Sequence, residues 1–278
     1  MSRQRLGAHA RPVESRLQLV DVAGLRIAYR RAGQGEPLLL LHGAFSDSRE
    51  WRQQLDGLSD AFDVIAVDCP GCGGSTDPPD GFTLQDYADS LAGFLAAVDV
   101  HRPHVGGLSF GSMYALVFYR HHPEIPRSLI LAGAYAGWAG SLPPDEVARR
   151  KRWLTEILDR PVDDWGADFL ATVYRDPTPP DVLAEAMEIL RDVRPDGFLP
   201  AIEAFFDADL RDVLPRITVP TLLLYGEQDE RSPLDVAQDL HSQIRGSRLV
   251  LLREAGHGIN AEAPQEFNAA VREFLTSS

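Results

Sequence analysis

Apolar residues alternate with polar ones, or gather in short runs, at eight places along the chain: RLQLVDV, LRIAYRRA, PLLLLH, FDVIAVD, PHVGGL, RSLILAG, PTLLLYG and SRLVLLRE. Gly, Pro or Asp bounds each run, and each predicts a β-strand. Between most of the later runs the apolar period lengthens to that of a helix, over 48–58, 83–98, 112–122, 233–244 and 261–275. Strands alternating with helices predict an α/β fold with a mostly parallel, eight-stranded sheet flanked by helices on both faces. In such sheets ligands bind beyond the carboxyl ends of the strands.

The alternation breaks over 134–213, just after the sixth strand. No strand pattern occurs there, but four helix-like segments begin near prolines: PPDEVARRKRWLTEIL, PVDDWGADFLATVY, PPDVLAEAMEIL and PDGFLPAIEAFF. These predict a helical lid at 134–213 inserted into a core of 15–133 and 214–278, with 1–14 as a loose tail. The lid carries Trp138, Trp153, Trp165, Phe169, Tyr174, Phe198, Phe205 and Phe206. Helices of this length bury an apolar stripe, so most of these rings are expected in the lid core and two or three in a pocket lining.

Composition narrows the class. A hydrophobic content of 44% with 24% charged residues is that of a soluble globular chain. The longest apolar runs are strand-length, and MSRQRLGAHARPVES has no apolar stretch after its charges, so a cytoplasmic protein without a membrane span is expected. A net charge of -14 sets a repulsive field against polyphosphates and excludes nucleic acid as the expected partner. The one basic run, ARRKRW, reads as a solvated helix face. Two cysteines, Cys69 and Cys72, cannot make a structural zinc site, and the scattered histidines lack carboxylate or cysteine partners at ligand spacing. No metal site is expected.

The chemistry gathers around GGLSFGS at 106–112, where a strand gives way to a helix. A strand-turn-helix elbow strains its central residue and needs neighbours without side chains; Gly107 and Gly111 flank Ser109 in this way. A hydroxyl attacks a carbonyl only when a base takes its proton and a third group fixes that base. Downstream, LLLYGEQDERSP sets Asp229 just past a strand, and LVLLREAGHGIN sets His257 just past the next. Nucleophile, acid and base thus follow in that order, all at strand carboxyl ends. The turn in LLLLHGAFSDS offers the Ala44 N–H, which with the Phe110 N–H makes a candidate oxyanion hole; His42 is expected to hold that loop.

These stretches, with VDCPGCGGSTDPP and EAGHGINAEAPQEFN, resemble the alpha/beta-hydrolase fold family in its lidded serine-hydrolase branch. They run in family order from about residue 17 to the end. The resemblance implies Ser109 as nucleophile, Asp229 as acid, His257 as base, Ala44 and Phe110 as oxyanion donors, and no cofactor. CPGC falls in the family's Asp-x-Pro-Gly-x-Gly turn, which makes its cysteines incidental. The expected activity is hydrolysis of a carboxylic ester or lactone of a small to medium, largely apolar and uncharged substrate beneath the lid. Acyl transfer or perhydrolysis, a carbon-carbon bond hydrolase and a small-molecule receptor stay open as alternatives, as does the oligomeric state.

Overall fold

All eight expected strands form one sheet in the computed structural model, which describes residues 15–277. They are β1 Gln18–Val22, β2 Leu25–Ala32, β3 Glu36–Leu41, β4 Phe62–Val67, β5 His104–Leu108, β6 Ser128–Ala132, β7 Thr221–Gly226 and β8 Arg248–Leu252. The order across the sheet is β1-β2-β4-β3-β5-β6-β7-β8, with β2 antiparallel to both neighbours and β4 through β8 paired in parallel. The expected tail, 1–14, lies outside the described residues.

The helices are α1 Arg52–Leu58, α2 Leu84–Ala97, α3 Phe110–His121, α4 Trp138–Ser141, α5 Pro144–Leu158, α6 Gly166–Val173, α7 Pro180–Arg191, α8 Pro195–Phe206, α9 Leu234–Gln243, α10 Ile259–Glu262 and α11 Pro264–Thr276. Local chemistry sets several ends. Thr83 and Asp86 form a reciprocal capping box at the start of α2. Prolines open α5, α7, α8 and α11, where a missing N–H costs nothing. The helix expected over 261–275 is interrupted at its start: α10 ends at Glu262 and Pro264 opens α11, because the residue before a proline avoids helical angles. None of the helices among the described residues is long and apolar enough to cross a membrane.

Alternation along the strands divides the core in two. Leu38, Leu40 and Val64 point to the face covered by α1 and α11, packing with Trp51, Leu55, Phe267 and Val271. Leu39, Leu41 and Ile65 point to the opposite face, under α2, α3 and α9. Helix α3 is buried from Phe110 to Tyr119, which explains why its sequence is apolar all round.

Helices α4 to α8 form the insertion between β6 and β7. The short α4 has no counterpart in the sequence pattern, since four residues cannot display a helical period. Phe205 packs against Phe110 and Tyr114, with centroids 4.9 and 5.4 Å apart, and Phe198 lies 5.6 Å from Phe110. Ion pairs Arg49–Asp192, Arg52–Glu185 and Arg194–Asp77 also join insertion to core. Exposed pairs contribute about 0–1 kcal/mol each, whereas each buried aromatic side chain contributes about 1.5–3 kcal/mol. Ring packing is therefore the main attachment.

Candidate active site

Ser109 follows β5 directly and stands at the N-terminus of α3 with φ 52° and ψ -108°. A β-carbon on Gly107 would lie 2.2 Å from the Gly111 carbonyl carbon, and one on Gly111 would lie 2.0 Å from the Leu41 oxygen. The elbow closes only because both are absent. The Ser109 N–H donates to the Ala132 carbonyl at 2.8 Å, which ties the elbow to the end of β6. Helix α3 starts at Phe110 and not at 112, since Ser109 itself is the capping position.

Asp229 lies just beyond β7 and His257 just beyond β8, both buried. His257 Nδ1 is 2.8 Å from Asp229 Oδ2, and Asp229 Oδ1 accepts the N–H groups of Arg231 (2.9 Å) and Ser232 (2.8 Å). An ionised carboxylate only accepts, so the imidazole proton sits on Nδ1 and Nε2 is left with its lone pair. Nε2 is buried and meets no hydrogen-bond partner among the described residues, the Ser109 hydroxyl included, although both residues border one cleft. Catalytic contacts commonly tighten only when substrate is bound.

Two supports of this pair carry no sequence signal. Gly133, at φ 49°, leaves the space that a β-carbon would take 3.0 Å from the His257 ring. The Val173 carbonyl, at the end of α6 where helix carbonyls lack partners, accepts the N–H groups of His257 (2.9 Å) and Gly258 (3.0 Å). The insertion thus holds the histidine loop from above.

The N–H groups of Ala44 and Phe110 take no hydrogen bond among the described residues, which leaves both free for a ligand oxygen. His42 is locked beneath them: the Cys69 N–H donates to Nε2 (3.1 Å), so Nδ1 carries the proton and donates to the Gly43 carbonyl (2.7 Å). The Gly43 N–H donates to Glu50 Oε2 at 2.7 Å. Burial, with Asp47 nearby, pushes the Glu50 carboxyl up from 4.5 to about 7. Its folded value lies above its unfolded value, so stability is fully present below about 4.5, is lost as pH rises through about 7, and is flat beyond. Glu50→Gln keeps an acceptor for Gly43 and removes the titration. Its Tm is expected to fall less than the parent's between about pH 5 and pH 8, and equal pH slopes in thermal melts would contradict the assignment.

Cys69 and Cys72 are free and buried in the turn between β4 and α2, where the Cys72 N–H donates to the Cys69 carbonyl at 2.9 Å. Burial pushes both thiols well up, away from the reactive thiolate. Replacing both by serine is expected to leave ester turnover within about three-fold, and native-state alkylation should be slow. Loss of activity on alkylating the folded parent, prevented in the double variant, would overturn this.

Ser109 lies at a junction. It borders the cleft shared with His257 and a wider cavity of about 360 Å³ lined by Trp138, Trp153, Leu154 and Phe206. Phe45, at φ 59° beside Ala44, borders both and packs on Trp165, Phe169 and Phe198, with centroids 5.7, 5.3 and 5.0 Å away. Five of the eight insertion rings named above, Trp138, Trp153, Phe169, Tyr174 and Phe206, line these spaces, more than the two or three expected, and Tyr135 joins them. The lining also departs from the expected apolar one: Arg150, from the basic run, and Arg231 both border the wider cavity.

Comparison with known proteins agrees with this architecture. Residues 36–264 match the family model described as alpha/beta hydrolase fold. A pimeloyl-[acyl-carrier protein] methyl ester esterase of Vibrio cholerae is 27% identical over 272 residues, which cover 91% of this chain and 99% of that protein. A 2-hydroxy-6-oxononadienedioate/2-hydroxy-6-oxononatrienedioate hydrolase of Escherichia coli is 30% identical over 296 residues, covering 94% and 95%. Among solved structures, a thermophilic esterase from Thermogutta terrifontis superposes with a TM-score of 0.85 at 26% identity, covering 95% of this chain and 99% of that one. The family match runs through the serine elbow, the acid loop and the histidine loop, and the chain belongs to the alpha/beta hydrolase fold family.

Proposed function

We propose that this alpha/beta hydrolase cleaves a carboxylic ester or lactone of a small to medium, largely apolar molecule through an acyl-enzyme on Ser109, without a cofactor. One observation carries the reading: His257, hydrogen-bonded to the buried Asp229, and the strained Ser109 border one cleft, with the free N–H groups of Ala44 and Phe110 at the same loops. The V. cholerae and T. terrifontis relatives, an ester hydrolase each by name, support it.

In the proposed reaction His257 Nε2 takes the Ser109 proton as the oxygen attacks the carbonyl. The tetrahedral oxyanion receives the N–H groups of Ala44 and Phe110, while Asp229 stabilises the imidazolium. His257 then gives its proton to the leaving alcohol oxygen. Water, deprotonated by the same nitrogen, attacks the acyl-enzyme and restores Ser109. The insertion excludes bulk water from these steps, which strengthens the oxyanion contacts.

A cavity of about 360 Å³ suits a short or medium acyl chain. The reading is tested by kcat/KM across linear esters from acetate to palmitate, beside a lactone panel and an emulsified triglyceride. Activity is expected to peak in the short to medium range, with the triglyceride poor. A maximum at palmitate, with a jump in rate above the solubility limit, would overturn the predicted substrate size.

A further inference from the structure

Arginines near the active site are mostly matched to carboxylates. Arg49 pairs with Asp47 and Asp192, Arg52 with Glu185, and Arg149 and Arg150 share Glu146. Arg231 is different. Among the described residues no carboxylate lies within ion-pair distance of its guanidinium, whose Nη1 donates to Thr172 Oγ1 at 2.6 Å and whose Cζ stands 5.2 Å from the Phe169 ring centroid. The nearby Asp229 is already engaged by His257 and two backbone N–H groups. Burial lowers the Arg231 value from that of a free guanidinium, but an arginine stays charged.

Arg231 is half-buried beside an aromatic ring, and its charge is best matched when a ligand brings the opposite one. Neighbouring side chains fix the Arg231 main chain in place. The Arg231 carbonyl accepts from the Tyr135 hydroxyl and from Arg150 Nη2 (3.0 Å), and the Arg150 guanidinium lies over the Tyr135 and Trp138 rings, 5.9 and 5.5 Å from their centroids. Arg231 borders both spaces that meet at Ser109. Glu230 and Asp168 also border the wider cavity, but both are exposed to solvent and neither pairs with Arg231.

We propose that Arg231, steadied by Arg150, receives a carboxylate at the far end of the substrate, so that the preferred substrates are half-esters of dicarboxylic acids, or lactones bearing a free carboxylate, with an apolar middle laid against Trp138, Trp153 and Phe206. The proposal refines the ester-hydrolase reading and rests on it for the identity of the scissile bond. It replaces the expectation of uncharged substrates: the net charge of -14 acts at long range, where salt screens it, while the guanidinium acts at contact.

The test separates the two claims. Calorimetric titration of Ser109→Ala compares monomethyl esters of succinate, glutarate, adipate and pimelate with their ω-amides, which are nearly isosteric and neutral. A charge-assisted hydrogen bond gives an expected preference for the carboxylate of about 10- to 100-fold at the best chain length. Adding Arg231→Gln should reduce it to about two-fold or less, with Arg231→Lys in between. An amide bound as tightly as the acid at every length, or a preference that survives Arg231→Gln, overturns the anion site. Turnover of neutral methyl esters by the parent is scored separately. A parent that prefers the carboxylate yet hydrolyses neither series keeps the anion site and loses the esterase reading.

Discussion

Ser109→Ala is expected to abolish covalent labelling by a fluorophosphonate and to lower kcat on a simple ester by about 10,000-fold or more. The residue is held at φ 52° by the elbow, and its backbone makes the contacts that close the turn: its N–H donates to the Ala132 carbonyl, and its carbonyl accepts from Ser112 and Met113. The hydroxyl takes no part in them. The variant should therefore keep the parent's Tm to within a few degrees while losing its chemistry, which separates a lost nucleophile from a lost fold. Labelling and thermal melts on parent and variant check this, and label carried by another serine would refute the assignment.

Asp229→Asn is expected to cost about 10,000-fold in kcat with a nearly unchanged fold. The reason lies in the second carboxylate oxygen. Oδ1 accepts the N–H groups of Arg231 and Ser232, so an asparagine at this position turns its carbonyl towards them and its NH2 towards His257. An NH2 group donates, and the imidazole must answer with a lone pair on Nδ1, which moves its proton to Nε2. A protonated Nε2 cannot take the Ser109 proton. Steady-state kinetics beside a thermal melt is the check; a loss of less than about ten-fold would mean that Asp229 does not set the tautomer.

The sheet was legible because it is written in short-range signals. The runs that became β3 to β7 are buried on both faces, and such strands read as unbroken apolar stretches between turn residues. Ser109, Asp229 and His257 stand where strands end, so strand positions alone placed them on one edge. What stayed hidden depends on contacts between distant segments. Nothing in EAGHGIN shows that the carbonyl of Val173, 84 residues earlier by subtraction of the two positions, will hold His257. The emptiness beside Gly133 has meaning only once the imidazole is beside it.

Side-chain direction was the other gap. ARRKRW reads as a solvated face and for the most part is one, with Arg149 and Arg152 exposed; Arg150 turns inward because it stands one helical turn after Glu146 and one turn before Leu154, on the side that meets Tyr135 and Trp138. Arg231 follows an acid by two residues in an ordinary loop, and only the folded aromatic surroundings show that its charge lacks a partner. Glu50 sits in a segment that looks like a polar helix start, yet its carboxyl is enclosed against the Gly43 turn.

The acyl-enzyme is tested most directly by mixing the parent with p-nitrophenyl acetate, quenching in acid during steady-state turnover and mapping peptides by mass spectrometry. An acetyl group on the peptide containing Ser109, absent before mixing and absent in Ser109→Ala, is the predicted result. Turnover with Ser109 unmodified throughout, or with the acetyl group on another residue, would contradict it.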